Sequence, residues 1–149
     1  MKFLVINGPN LNLLGKREPE YYGALSLPEI NEKIKQWAKE NSCETVCIQT
    51  NSEEELINSI HDADDSFSGI VINPAAFTHY SFAVMDALRA ISIPVVEVHI
   101  SNIYRREGFR TKSVTASAAT GVISGFGYYS YILGLEALYK LCEETSKNE

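Results

Sequence analysis

The chain is poor in the features that would take it out of the ordinary soluble class. It has three cysteines, Cys43, Cys47 and Cys142. Their odd number, the lack of a CxxC spacing and the absence of adjacent histidines argue against a disulfide framework or a zinc site, and they read as buried free thiols. There is no basic run, and a formal net charge of −6 argues against a nucleic-acid surface. No apolar stretch approaches the ~20 residues that span a bilayer, and the opening MKFLVINGPN puts turn residues where a secretion signal needs its apolar segment. A cytosolic location, with no membrane or nucleic-acid partner, is the expectation. Neither a GxxxxGK phosphate loop nor a GxSxG elbow occurs. GFGYYS, residues 125–130, imitates part of a dinucleotide fingerprint, but it follows the last strand and lacks a downstream acidic partner, so its glycines read as close-packing positions. No repeat, low-complexity tract or linker divides the chain, so 1–149 is expected to form one domain.

What is present is alternation. A hydrophobic fraction of 45% and a charged fraction of 21% suit a packed globular protein. Apolar runs of strand length recur at Phe3 to Ile6, Val46 to Ile48, Ile70 to Ile72, Val95 to Val98 and Val122 to Ile123, with helical patterns between most of them. Ser26 with Glu29, and Ser52 with Glu55, have the spacing that caps helix starts, which predicts helices from about Leu27 and about Glu53. Their core stripes are Ile30, Ile34, Trp37 and Ala38 in the first, and Leu56, Ile57 and Ile60 in the second. A third helix should carry Ala83, Val84, Ala87, Leu88 and Ile91 and stop at Pro94, and a last one should run from about Tyr128 into the tail. Short strands without alternation imply burial on both faces, hence a parallel sheet of about five strands with helices on both sides. Such folds bind ligands past the carboxyl ends of the strands. That rule picks out the segments beginning at Asn7, Asn73 and His99.

Those segments hold most of the reactive side chains. The first, NGPNLNLLGKREPEYYG, contains Asn10 as an amide donor, Arg17 as a permanent cation and Tyr22 as a phenolic acid or base. A phenol is a poor base at its ordinary pKa of ~10. Shifting any phenol by ~2 to 3 units takes ~3 to 4 kcal/mol, and one unit charge ~4 Å away supplies ~4 kcal/mol at an effective dielectric of ~20. A single guanidinium therefore suffices with little margin. The second segment, NPAAFTHYSFAVMDAL, offers Asn73 and His79 at the sheet edge, with Thr78 or Ser81 to cap the next helix. Each has a plain alternative, Asn73 holding a turn and His79 covering a helix start. Asp86 falls on the outer side of that helix, where a solvated carboxylate is the simplest reading. The third segment, EVHISN, places Glu97 and His99 two residues apart, on the same side of a strand. A carboxylate so placed can orient an imidazole as general acid or base; a metal ligand and a core histidine are the rival readings. IYRREGFR then supplies Arg105, Arg106 and Arg110 in a loop whose Gly108 suggests mobility, suited to closing over an anionic ligand. A surface basic cluster is the alternative there.

With these residues assembled, the chain closely resembles the type II 3-dehydroquinate dehydratases. GPNLNLLGKREPEYYG, NPAAFTHYS, EVHISN and ATGVISGFG carry the resemblance, in order and nearly end to end. It implies a flavodoxin-like subunit, a dodecamer built as a tetramer of trimers, and chemistry without metal or organic cofactor. The substrate implied is 3-dehydroquinate, converted to 3-dehydroshikimate. By the same resemblance Tyr22 is the base, Arg17 keeps it ionised and His99 is the acid, the strand spacing giving Glu97 the part of orienting it. Asn73 and the backbone amides of Ile100 and Ser101 hold the substrate carboxylate, and His79 and Arg110 grip the ring hydroxyls. Asp86 reaches a neighbouring subunit's site, while Asn10 with a water steadies the enolate. Ala75 departs from the family's usual glycine, and Arg105 and Gly108 depart from its usual lid residues. A lysine Schiff-base enzyme for the same reaction would need a barrel of ~250 residues. A flavodoxin-like binding module, for flavin or as a phosphorylated receiver, is the different class of reading; a receiver needs acidic residues where Asn7 and Asn73 stand.

Overall fold

The structure, a computed structural model, describes residues 1–16 and 18–148. Five strands, β1 (Lys2–Asn7), β2 (Glu44–Gln49), β3 (Gly69–Asn73), β4 (Val95–His99) and β5 (Gly121–Ser124), form one sheet in the order β2-β1-β3-β4-β5. Every pairing is parallel. Among the described residues, five α-helices accompany them: α1 (Pro19–Tyr22), α2 (Leu27–Glu40), α3 (Glu53–Ala63), α4 (Phe82–Ala90) and α5 (Tyr129–Lys147). This is the flavodoxin-like strand order, with helices on both faces.

Each face of the sheet owns a core. On one, Ile30, Ile34 and Trp37 of α2 and Tyr131, Leu135 and Leu138 of α5 pack on Phe3, Val5, Val71 and Val98. On the other, Leu56 and Ile60 of α3 and Val84 and Leu88 of α4 pack on Leu4, Ile6, Ile70 and Ile72. The central strands β1, β3 and β4 are almost wholly buried, and successive residues alternate between the two cores, which is why no polar alternation marks them. Gly134 of α5 lies against the sheet, where an added Cβ would come within 3.0 Å of Val98. Both predicted caps form: the Ser26 hydroxyl accepts from Glu29 N at 3.3 Å and that of Ser52 from Glu55 N at 3.2 Å. Among the described residues, no helix is long and apolar enough to cross a membrane.

Several expectations need correction. The edge strands β2 and β5 are only partly covered, leaving Val46 38% and Val122 40% exposed, because each has a neighbour on one side alone. The third helix ends at Ala90, well before Pro94. Ile91 is already extended, and the Asp64 carboxylate captures the departing chain by accepting from Ser92 N at 2.7 Å and Ile93 N at 3.2 Å. Ala83 points outward rather than into the core. Of the two cap candidates, Ser81 is the one that caps α4, accepting from Val84 N at 3.0 Å. The three thiols are free but half-buried rather than buried. Gly125 is a close-packing position, 3.0 Å from the Asn102 side chain for an added Cβ, whereas Gly127 has open space around it and serves its positive φ of 62° instead. Finally, α1 is a short helix inside a stretch that reads as loop, started by Pro19 in its first turn.

Candidate active site

The sheet's connection reverses between β1 and β3, where the two crossovers leave on opposite faces and open a crevice beyond the strand ends. Asn7 and Asn73 end these strands side by side in register. Both are buried, and Tyr131 of α5 ties them together: its hydroxyl donates to Asn7 Oδ1 at 2.6 Å and accepts from Asn73 Nδ2 at 3.0 Å. Asn73 Oδ1 in turn accepts from Ala75 N at 3.1 Å, so this amide is held in one orientation. The loops after β1 and β3 meet closely. Gly8 N donates to Asn73 O at 2.8 Å, and a Cβ on Gly8 would lie 2.4 Å from Pro74 O, so only glycine fits. Ala75 has φ 53°, left-handed backbone that a methyl-bearing residue adopts at a cost. That is the position where glycine would be the unstrained choice.

The cleft above these loops encloses about 640 Å³ counted out to its mouth, and Asn10, Tyr22, Asn73, His79, His99, Ile100, Ser101, Arg106 and Arg110 line it. One wall is an acid–base pair built into β4. His99 Nε2–H donates to Glu97 Oε2 at 2.9 Å, with the carboxylate fully buried and the imidazole nearly so. Behind it the Ser113 hydroxyl donates to the same carboxylate oxygen at 3.0 Å, and the Thr115 hydroxyl makes a short hydrogen bond to the other. Burial alone would push the Glu97 carboxyl up. The His99 hydrogen bond and charge, with the Thr115 and Ser113 hydroxyls, outweigh it and hold the group below the usual carboxylate range. With Nε2 committed to Glu97, Nδ1 is the nitrogen left for a ligand. On the far side, the His79 Nδ1–H donates to Lys112 O at 2.7 Å, leaving Nε2 as an acceptor. Burial, aided by the positive neighbours His99 and Arg110, pushes that imidazole below its ordinary value against the pull of the Lys112 carbonyl.

The opposite wall is assembled from two separate loops. Tyr22 ends α1, half-buried, and Arg106, from the segment after β4, donates through Nη1 to its hydroxyl at 2.7 Å. The Arg106 side chain is only 6% exposed, with its nearest carboxylate, Glu107, at 3.7 Å and itself 52% exposed. The phenolic oxygen thus accepts a charge-assisted hydrogen bond from a buried guanidinium. Arg110 lies beside the same Glu107 at 3.5 Å.

Most of the residues singled out from sequence thus converge. Glu97 acts from behind His99 rather than lining the cleft, and Asp86 is exposed on α4 and away from it. Arg17 lies outside the described residues. Arg105 lines an adjoining groove with Asn102 and Gly125 rather than the cleft. Sequence reasoning counted Arg106 as part of a mobile cluster and missed its contact with Tyr22; no spacing rule connects residues 84 apart. It missed Tyr131, Ser113 and Thr115 too, because hydroxyls that serve buried partners carry no pattern. Among the described residues, no group of three or more His, Cys, Asp or Glu side chains gathers as around a metal ion.

A flavodoxin-like sheet with a cleft that sets a phenol against a cation and an imidazole against a carboxylate is equipped for acid–base chemistry on a small polar molecule. Comparison with known proteins narrows this. The family profile described as dehydroquinase class II matches residues 1–139. A 3-dehydroquinate dehydratase of Clostridium botulinum is 58% identical over 133 residues, 89% of this chain and 90% of that protein. One from Thermoanaerobacter pseudethanolicus is 55% identical over 144 residues, covering 97% of each. The crystal structure of a type II dehydroquinase from Butyrivibrio crossotus superposes with a TM-score of 0.92 at 45% identity, covering 93% of this chain and 97% of that one. The chain belongs to the class II dehydroquinases, and is therefore an enzyme of the hydro-lyase type.

Proposed function

We propose that this enzyme dehydrates 3-dehydroquinate to 3-dehydroshikimate by anti elimination through an enolate, with Tyr22 as base and His99 as acid. The observation that carries the reading is the convergence, in one cleft, of a phenol hydrogen-bonded to a buried guanidinium and an imidazole oriented by a buried carboxylate.

Removing a proton next to a ketone needs a base that is ionised near neutrality. Arg106, which donates to the Tyr22 hydroxyl, sets a cation beside that base and adds to the Arg17 that sequence points to. Tyr22 takes the proton, and charge moves to the carbonyl oxygen, where Asn10 and a water receive it. His99, as imidazolium, protonates the departing hydroxyl, while Glu97 fixes the ring and is not itself consumed. Asn73, its amide held by Tyr131 and Ala75 N, and the backbone amides of Ile100 and Ser101 take the substrate carboxylate. The free Nε2 of His79 and the guanidinium of Arg110 meet the ring hydroxyls. No metal or organic cofactor enters this reading.

The whole chain works as one catalytic unit in the cytosol, in the shikimate pathway, and assembles as a dodecamer in which Asp86 completes a neighbour's site. What supports assembly is an exposed carboxylate on α4 beside aromatic side chains that water covers poorly, Tyr80 at 58% and Phe82 at 63% exposure. The direct experiment mixes the protein with 3-dehydroquinate and follows the ultraviolet absorbance of the conjugated product. Rising absorbance that disappears in Tyr22→Phe is the expected result. Silence from the folded wild type would shift the reading to a binding module.

A further inference from the structure

The Arg106 side chain is almost completely removed from water, yet its nearest carboxylate is 3.7 Å away and largely exposed. Besides the Tyr22 hydroxyl to which it donates, a cation so buried needs another source of stabilisation. The structure supplies it with aromatic rings. The Arg106 guanidinium lies 4.3 Å from the centroid of the Tyr21 ring and 5.1 Å from that of Tyr22, and the two rings meet edge to face at 6.4 Å. Tyr21 is itself 40% exposed and is absent from the cleft lining, so it neither fills the core nor faces a ligand there.

On the reading of the site given above, we propose that Tyr21 is a positioning residue for the reaction: its ring is the platform on which Arg106 docks, so that the segment after β4 brings its guanidinium onto the Tyr22 hydroxyl. The two contacts use different parts of Arg106. Its Nη1 donates to the phenolic oxygen, while its Cζ lies over the neighbouring ring. A planar cation held by a ring on one side has few orientations left, and the surviving one aims an N–H at Tyr22. Without the ring, the hydrogen bond to the Tyr22 hydroxyl, that residue's more distant ring and the exposed Glu107 remain, and the guanidinium is held less firmly out of water. Because α1 is one turn long, consecutive tyrosines at 21 and 22 are an economical way to present platform and base together.

The test is a double-mutant cycle on the intact enzyme, scored by kcat and KM for 3-dehydroquinate. Tyr21→Leu keeps bulk but removes the π face; it should lower kcat about ten-fold while KM stays within two-fold. Tyr21→Phe keeps the face and should recover most of the loss. Arg106→Lys retains a charge but cannot stack in the same plane, so adding Tyr21→Leu to it should cost less than two-fold more. Equal impairment of the Leu and Phe variants, full additivity with Arg106→Lys, or an unaltered kcat in Tyr21→Leu would each overturn the proposal. Failure of the underlying reading looks different: the wild type would be inactive, or Tyr22→Phe would keep its rate.

Discussion

The two walls of the cleft are built by opposite strategies. The wall to which the proposal gives the acid is carried by one strand: Glu97 and His99 sit two residues apart on β4, both buried, and the hydroxyls of half-buried Ser113 and buried Thr115 bond the same carboxylate. The wall to which it gives the base is made of a one-turn helix and a separate loop that meet through a guanidinium, with exposed surface close by. A strand in a packed sheet fixes geometry by its own regularity, because its side chains cannot rotate without disturbing two cores. Loops fix geometry only through the contacts between them. The acid should therefore tolerate distant change and fail when a donor is removed, whereas the base should fail when either loop loses its grip.

Substitutions can break that contrast in order of expected effect. Tyr22→Phe should lower kcat about 10³-fold or more, in the range attributed to general acid–base groups, with an unaltered circular dichroism spectrum. A variant of near-normal rate would remove the base wall from the account. Glu97→Gln should reduce kcat about 10²-fold and cost about 1–3 kcal/mol of stability, since an amide cannot accept from all the donors gathered there. Denaturant titration beside steady-state kinetics measures both.

Thr115→Val, near-isosteric, removes one donor from Glu97 and should lower kcat by about three- to ten-fold, with a loss of about 1 kcal/mol in stability. Its pH dependence has a definite sign. The folded state holds Glu97 below its ordinary value of 4.5, so the associated stabilisation is present above that value and is lost as the pH falls through the lower, folded one. In Thr115→Val the loss should begin at higher pH, and thermal melts across the acid range would detect it. The smallest effect is expected at Ala75→Gly. Relief of the left-handed alanine should raise stability by about 0.5–1 kcal/mol, after the entropy that glycine adds to the unfolded chain is subtracted. A higher melting temperature with kcat within two-fold would confirm that the strain there is structural.

The same contrast explains what could be read from the sequence. Strand runs, capping serines and the Glu97–His99 spacing are local periodicities, and they located the sheet, the two capped helices and the acid wall. Edge exposure in β2 and β5, the early end of α4 held by Asp64, and the service roles of Tyr131, Ser113 and Thr115 depend on partners far along the chain. The base wall was half legible. Tyr22 could be recognised as a candidate by its loop and its neighbours, but its hydrogen bond to Arg106 joins residues that only the fold brings together.

The division of labour between the walls is tested most directly by hydrogen exchange. In deuterated water, nuclear magnetic resonance follows deuterium entering the position next to the ketone of 3-dehydroquinate, independently of water loss. A His99→Asn variant, with an intact base, should still catalyse that exchange while eliminating poorly, and Tyr22→Phe should catalyse neither. Exchange at the wild-type rate in Tyr22→Phe would contradict the assignment of the base.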